Sequence, residues 1–140
     1  MVPGGAQASS VLLPLVAELV AQAGCSLRDL DALAFGQGPG AFTGLRTACS
    51  VIQGLALGAE RPVLALDTLA AVAESARLQG ATGPVWVMQD ARMGEVYAAR
   101  YEHDGSAWVA DCPPALYAPD ALAARAARAP VLRPTARFLR

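Results

Sequence analysis

Lysine is absent from this 140-residue chain; all 11 basic residues are arginine. That excludes a Walker-type phosphate loop, whose Gly-Lys-Ser/Thr end needs the amine, and it excludes a Schiff-base lysine. A genome rich in Arg and Ala codons accounts for the absence, and the chemical restriction holds either way. Histidine is nearly absent: His103 stands alone, so no two-histidine zinc site can form within the chain. The three cysteines, Cys25, Cys49 and Cys112, are odd in number and widely spaced. They make neither a disulfide framework nor a Cys-x-x-Cys metal site, and they suit a reducing, cytosolic setting. No apolar run approaches the roughly 20 residues of a membrane span. Met1-Val2-Pro3-Gly4-Gly5 lacks the basic start of a signal peptide. The expectation is a cytoplasmic protein with no membrane contact.

What is present points to a packed domain. The chain is 54% hydrophobic with mean hydropathy +0.36, which sets it apart from disordered sequences. Its length suffices for one real core. Charge is uneven: residues 1–120 hold all 12 acids and six of the arginines, and residues 121–140 hold five arginines and no acid. Such an end is more often a solvated tail than an RNA contact, and the solvated reading is the one taken.

The chain is organised around Gly36-Gln37-Gly38-Pro39-Gly40-Ala41-Phe42-Thr43-Gly44-Leu45-Arg46. Ala32–Phe35 before it reads as a buried strand. Thr43, a good N-cap, opens a helix to about Leu57, ended by Gly58. A glycine-rich loop between strand and helix either cradles a phosphate on helix N–H groups or simply sets the helix in place. Gly38, Gly40, Thr43 and Gly44 are the candidate phosphate contacts. The helix has an apolar stripe, Leu45, Ala48, Cys49, Ile52 and Leu55/Ala56. It also has small residues elsewhere, Ser50 and Gly54 among them. An interior glycine costs about 1 kcal/mol relative to alanine, so Gly54 implies close packing, either within the chain or against another subunit; packing inside the chain is the commoner reason.

Upstream, Ser9 or Ser10 caps a first helix with apolar positions Leu12, Leu15, Val16, Leu19, Val20 and Ala23. Pro14 sits near its first turn, and Gly24 ends it. Val11 and Leu13 lie off the main stripe, so this helix is apolar on more than one face and is either buried or covered by a partner. Downstream follow a strand at Pro62–Leu66, a helix Leu69–Leu78 capped by Asp67 or Thr68, and a strand at Pro84–Met88. Strand–helix–strand–helix–strand implies a parallel sheet. Glu95–Tyr101 and Ala107–Val109 form a hairpin around Asp104-Gly105. A helix from Pro119 to about Ala127 closes the pattern.

No acid–base team is evident. Asp67 reads as a helix cap, Cys49 as a small core residue and His103 as a solvated residue beside a turn. Asp90, Arg92 and Glu95 mark a polar turn that either holds a ligand, joins two lobes, or pairs internally. No catalytic residue and no metal ligand is assigned.

Gly38-Pro39-Gly40-Ala41-Phe42-Thr43-Gly44-Leu45-Arg46 with Gln53-Gly54-Leu55-Ala56, together with Asp90-Ala91-Arg92-Met93-Gly94-Glu95-Val96-Tyr97, resembles the bacterial TsaB (YeaZ) family. Gln7–Pro14 is similar to the start of that family's first helix. The resemblance covers about residues 5–112. It implies an α/β fold of the ASKHA (actin-like/sugar-kinase, RNase H-like) type, with central parallel strands and an antiparallel hairpin. Residues 1–84 would be a remnant of the first lobe and 85–140 the start of the second. The family's opening strand hairpin, with its Asp-Thr-Ser-like phosphate motif, and its continuation past residue 140 have no counterpart here. The expectation is an incomplete fold: a fragment, a misassigned start or a frameshifted product.

The function implied is that of a non-catalytic scaffold in making threonylcarbamoyladenosine in tRNAs that read ANN codons. Its partners would be the catalytic, metal- and ATP-binding TsaD and the ATPase TsaE, with tRNA reached indirectly and no cofactor of its own. The helices Ser9–Ala23 and Thr43–Leu57 would bundle with the equivalent helices of TsaD or of a second TsaB. Leu12, Leu13, Val16, Val20, Arg46, Ser50, Gln53, Gly54 and Leu57 are the candidate partner-binding residues. The alternative is an ASKHA nucleotide-binding phosphotransferase. A peptidase would need a metal site that one histidine cannot supply.

Overall fold

The computed structural model describes residues 8–127 and 131–132. The Gly/Ala-rich start (1–7) and most of the arginine-rich end lie outside the described residues. In order, the elements are α1 (Ala8–Gln22), a 3-10 turn (Leu27–Asp29), β1 (Leu33–Gly38), α2 (Phe42–Ala59), β2 (Val63–Asp67), α3 (Thr68–Leu78), β3 (Val85–Arg92), β4 (Glu95–His103), β5 (Trp108–Tyr117), α4 (Pro119–Ala126) and β6 (Val131–Leu132). The mixed α/β class expected of an ASKHA fold is what the chain adopts. Two compact units divide between Leu66 and Asp67. The lobe boundary read from sequence, 84/85, leaves α3 with the first part; in the structure α3 belongs to the second.

In the first unit, β1 and β2 are neighbours in a two-stranded sheet, and Leu33 N donates to Pro62 O at 2.9 Å. Helix α2 packs on β1 and touches α1. The buried centre is small: Leu33, Ala56 and Ala59. Several boundaries differ from the sequence reading. Strand β1 runs three residues further, taking in Gly36, Gln37 and Gly38. Ser9 and Ser10 lie inside α1, and Pro14 falls in its second turn. Thr43 is not the cap of α2: Ala41 holds that position without a side-chain bond, and Leu45 N already bonds to Ala41 O. The helix therefore starts two residues earlier than the sequence reading has it.

Gly58 does not end α2 either. The helix continues to Ala59, and Glu60 takes the left-handed cap position with φ 57°. Arg28 stabilises this ending by donating to Gly58 O at 3.3 Å and to Glu60 Oε1 at 3.4 Å. A left-handed backbone suits glycine better than glutamate. Glu60→Gly should therefore stabilise the chain by about 0.5–1 kcal/mol, read as a higher urea midpoint.

The second unit is a four-stranded sheet in the order β5-β4-β3-β6, with helices on both faces. The three-stranded parallel sheet expected from the strand–helix alternation does not form. The edges of β3 are taken by β4, antiparallel, and by β6, parallel through Trp86↔Val131 and Val87↔Leu132. Alternation along β3 sorts the core. Val85 and Val87 join Leu69, Ala73, Ala99 and Tyr101 under α3. Trp86 faces the other way, with Ala98, Leu122 and Ala126 under α4. Pro119 opens α4 in its first turn, where a missing N–H costs nothing. Strand β5 is longer than the sequence pattern indicates. Its register against β4 shifts between Ala98 and Arg100, so Pro113 and Pro114 fall in an irregular stretch of the outer strand.

Asp67 caps α3 as expected: Oδ1 accepts from Leu69 N at 2.8 Å and Ala70 N at 3.3 Å. His103 is not the solvated residue expected. It is half-buried, its ring stands edge-on to Trp108 at 5.1 Å, and its Nδ1 accepts from Gly105 N at 3.1 Å.

Two carboxylates fasten this hairpin. Glu74 accepts from Arg77 at 2.7 and 2.8 Å and from Trp108 Nε1 at 3.0 Å. The arginine bonds first, then the indole, hold its carboxyl down to about 2. Asp104 accepts from Ala107 N and Ser106 N, each at 2.8 Å, and is also held at about 2. A carboxyl whose folded value lies below its unfolded one contributes stability above the unfolded value and loses it as pH falls through the folded one. Thermal melts should show the midpoint falling as the pH drops from about 4.5 to about 2, and Glu74→Gln should flatten that fall.

Candidate protein-interaction face

The glycine loop is a packing device. Gly38 is buried with φ +106°, a conformation open to glycine. A Cβ on Gly38 would stand 3.0 Å from Leu45 Cδ1, and one on Gly40 would stand 3.7 Å from Leu45 Cδ2. The turn therefore closes on Leu45 in the first turn of α2 and fixes how that helix leaves the strand. Thr43 and Gly44, the other two candidate phosphate contacts, are exposed at the helix start.

From there α2 shows two faces. Leu45, Ala48, Cys49, Ile52 and Leu55 are half-buried and Ala56 is buried, so the expected stripe faces inward. Cys49 accepts from Gln53 Nε2 at 3.6 Å. The opposite face carries Arg46, Ser50, Gln53, Gly54 and Leu57, all exposed, with Leu57 82% exposed. These five candidates share one side of one helix. On α1, Leu13 is 51% exposed, but Leu12, Val16 and Val20 are half-buried within the chain itself.

Internal packing, the commoner reason for Gly54, is not seen among the described residues. A Cβ placed on Gly44, Gly54 or Gly58 meets nothing within 4 Å among the described residues. Among the described residues, no close approach offsets the cost of these glycines to the helix.

Two residues of this surface escape the sequence reading. Phe42 is 72% exposed, with the Arg46 guanidinium 5.0 Å from its ring centroid. Leu19, counted in the inward stripe of α1, is 62% exposed. The spacing Phe42/Arg46, one helical turn, is the signal that could have marked the first. Nothing in the periodicity marks the second.

The polar turn is a two-residue hairpin connection. Arg92 pairs with Glu95 in the β3–β4 register, and Met93 and Gly94 have φ of 55° and 78°, the signs a type I′ turn needs. Asp90 Oδ1 accepts from Arg92 N at 2.8 Å, across a bulge at Ala91. The three candidates Asp90, Arg92 and Glu95 are thus brought together, exposed, around a tight turn.

The buried polar chemistry is elsewhere and is structural. Tyr101 donates its hydroxyl to Asp67 Oδ2. Burial, then this bond to a carboxylate, pushes the phenol well above its usual range. Among the described residues no three His, Cys, Asp or Glu side chains gather as metal ligands, and no helix is long and apolar enough to cross a membrane.

Comparison with known proteins adds the following. The TsaD family model, described as tRNA N6-adenosine threonylcarbamoyltransferase, matches residues 2–131. Over 94 residues the chain is 50% identical to the tRNA threonylcarbamoyladenosine biosynthesis protein TsaB of Escherichia coli, covering 66% of this chain and 40% of that protein. The solved structure of YeaZ from Pseudomonas aeruginosa superposes with a TM-score of 0.75 at 42% identity, covering 81% of this chain and 53% of that one. A stretch of 58 residues is 47% identical to the tRNA N6-adenosine threonylcarbamoyltransferase of Nitrosospira multiformis, covering 41% of this chain and 17% of that protein. The chain thus spans between two fifths and about half of the length of its TsaB and YeaZ relatives.

Proposed function

Because the chain belongs to the TsaD family of threonylcarbamoyltransferase proteins, as a TsaB (YeaZ) member, we propose that it is a non-catalytic accessory subunit in threonylcarbamoyladenosine formation on tRNAs reading ANN codons. Its task is to bind and activate a TsaD-type catalytic subunit through the exposed side of α2 and Leu13 of α1. The supporting observation is the α2 face itself: an exposed leucine beside glycines at which an added Cβ would meet nothing within 4 Å among the described residues. Small residues let a second backbone come close, and large exposed apolar side chains supply area to bury. The same face would serve a homodimer when the catalytic subunit is absent. ATP and magnesium belong to the catalytic subunit and to a TsaE-type ATPase, tRNA is met indirectly, and the setting is cytoplasmic.

Co-purification with a TsaD-type subunit tests this. A complex is expected with the unaltered chain and not with Leu57→Arg, whose circular dichroism should match the unaltered chain's. No complex with the unaltered chain, folded by the same criterion, counts decisively against the reading.

The second reading, a nucleotide-binding phosphotransferase, draws on the 58-residue stretch shared with a protein named as a transferase. Under it, the Gly38–Gly44 loop and the first amides of α2 would take a phosphate. Calorimetry with ATP and magnesium separates the two: binding by this chain alone favours the transferase reading, and silence favours the accessory one.

A further inference from the structure

The geometry points to Met93 as a modification site: of the two methionines among the described residues, Met88 and Met93, it is the one whose thioether a peroxide oxidises first in the native chain. Met93 is 97% exposed at the tip of the β3–β4 hairpin. Its backbone is held in the left-handed region together with those of Arg92 and Gly94, and the Asp90 carboxylate pins the Arg92 amide beside it. The side chain is therefore presented to solvent by a defined turn. Met88, five residues upstream of Met93 and within β3, is half-buried against the cluster of Trp86, Ala98 and Leu122.

Oxidation of a thioether depends on its access to the oxidant, so the two methionines should react at different rates while the fold is intact. In the step, the sulfur lone pair attacks one peroxide oxygen and the O–O bond breaks. An S–O bond forms, and the second oxygen leaves as water after taking up the proton of the first. Sulfur is oxidised by two electrons and the peroxide is reduced by two. The product is a polar sulfoxide where an apolar side chain stood, reversible by a methionine sulfoxide reductase. Since Met93 contributes to neither buried cluster, the sheet survives its oxidation.

The test uses the whole chain and hydrogen peroxide in limiting amount. Cleavage after arginine places Met93 in the peptide 93–100 and Met88 in the peptide 78–92, so mass spectrometry reads the gain of one oxygen at each separately. Met93 is expected to oxidise about ten times faster than Met88 in the native chain and at nearly the same rate in urea. The singly oxidised chain should unfold at the temperature of the untreated one. Equal native rates overturn the proposal. So does a rate ratio that persists in urea, which would make the preference a property of the local sequence and not of the fold.

Discussion

Replacing Gly54 by alanine should raise the melting temperature of this chain by about 4 °C and, under the proposed accessory role, weaken its binding to a TsaD-type subunit at least about tenfold. The two effects have opposite signs because they have different causes. Alanine is the better helix former by about 1 kcal/mol, and at position 54 its methyl group meets nothing within 4 Å among the described residues. The free chain gains stability without strain. Across a close helix crossing the same methyl must displace a partner backbone or side chain, and overpacking of that kind costs about 1–3 kcal/mol. Leucine at the same position should abolish the complex altogether. Calorimetric melting of the free chain and titration against the catalytic subunit read the two effects separately. If alanine lowers the melting temperature, Gly54 serves packing within the chain; if it leaves affinity unchanged, the interface lies elsewhere.

The second large effect concerns Asp67, the first residue of the second unit. Asp67→Ala should destabilise that unit by about 2–4 kcal/mol, a large share of a small domain's stability. It removes the acceptor for Leu69 N and Ala70 N, worth about 1 kcal/mol as a helix cap. It also leaves the hydroxyl of Tyr101, a residue only 1% exposed, without its carboxylate, which costs about 1–3 kcal/mol more. Tyr101→Phe removes the donor as well as the need for an acceptor, so in that background Asp67→Ala should cost only the cap. Both tryptophans, Trp86 and Trp108, lie in the second unit, so urea unfolding followed by their fluorescence reports on it directly. A loss below about 1 kcal/mol in the unaltered background would mean the bond contributes nothing beyond the cap.

What was legible in the sequence follows from local rules. The Asp67 cap, proline at the start of α4 and the inward stripe of α2 each depend on a few adjacent residues, and all three are seen. The resemblance in the glycine loop and the Asp90–Tyr97 block led to the right family because those motifs are long and ordered along the chain.

The misses are tertiary. Periodicity cannot say that both edges of β3 are occupied, because pairing depends on β4 and β6. It cannot place a glutamate in the left-handed cap of α2, because Arg28, thirty residues upstream of Gly58, supports that ending. Nor can it separate Leu19, exposed, from Val20, half-buried, when both satisfy the same helical spacing. The exposure of the α2 residues was readable because polar and small residues mark the side turned away from the core. The half-burial of Leu12, Val16 and Val20 was not, since apolar character alone does not tell which neighbour covers a side chain.

The irregular stretch of β5 has a consequence for how the chain behaves at high concentration. An outer strand normally offers a row of free N–H and C=O groups on which a strand from another molecule can grow. Successive N–H groups point to opposite sides of a strand, so of the adjacent Pro113 and Pro114 one takes a donor from that row, in the part where the register against β4 shifts. A second chain could not continue an unbroken ladder past them. This flank of the sheet is thereby less open to edge-to-edge pairing, and Pro113→Thr with Pro114→Val should raise self-association at high concentration, read by light scattering.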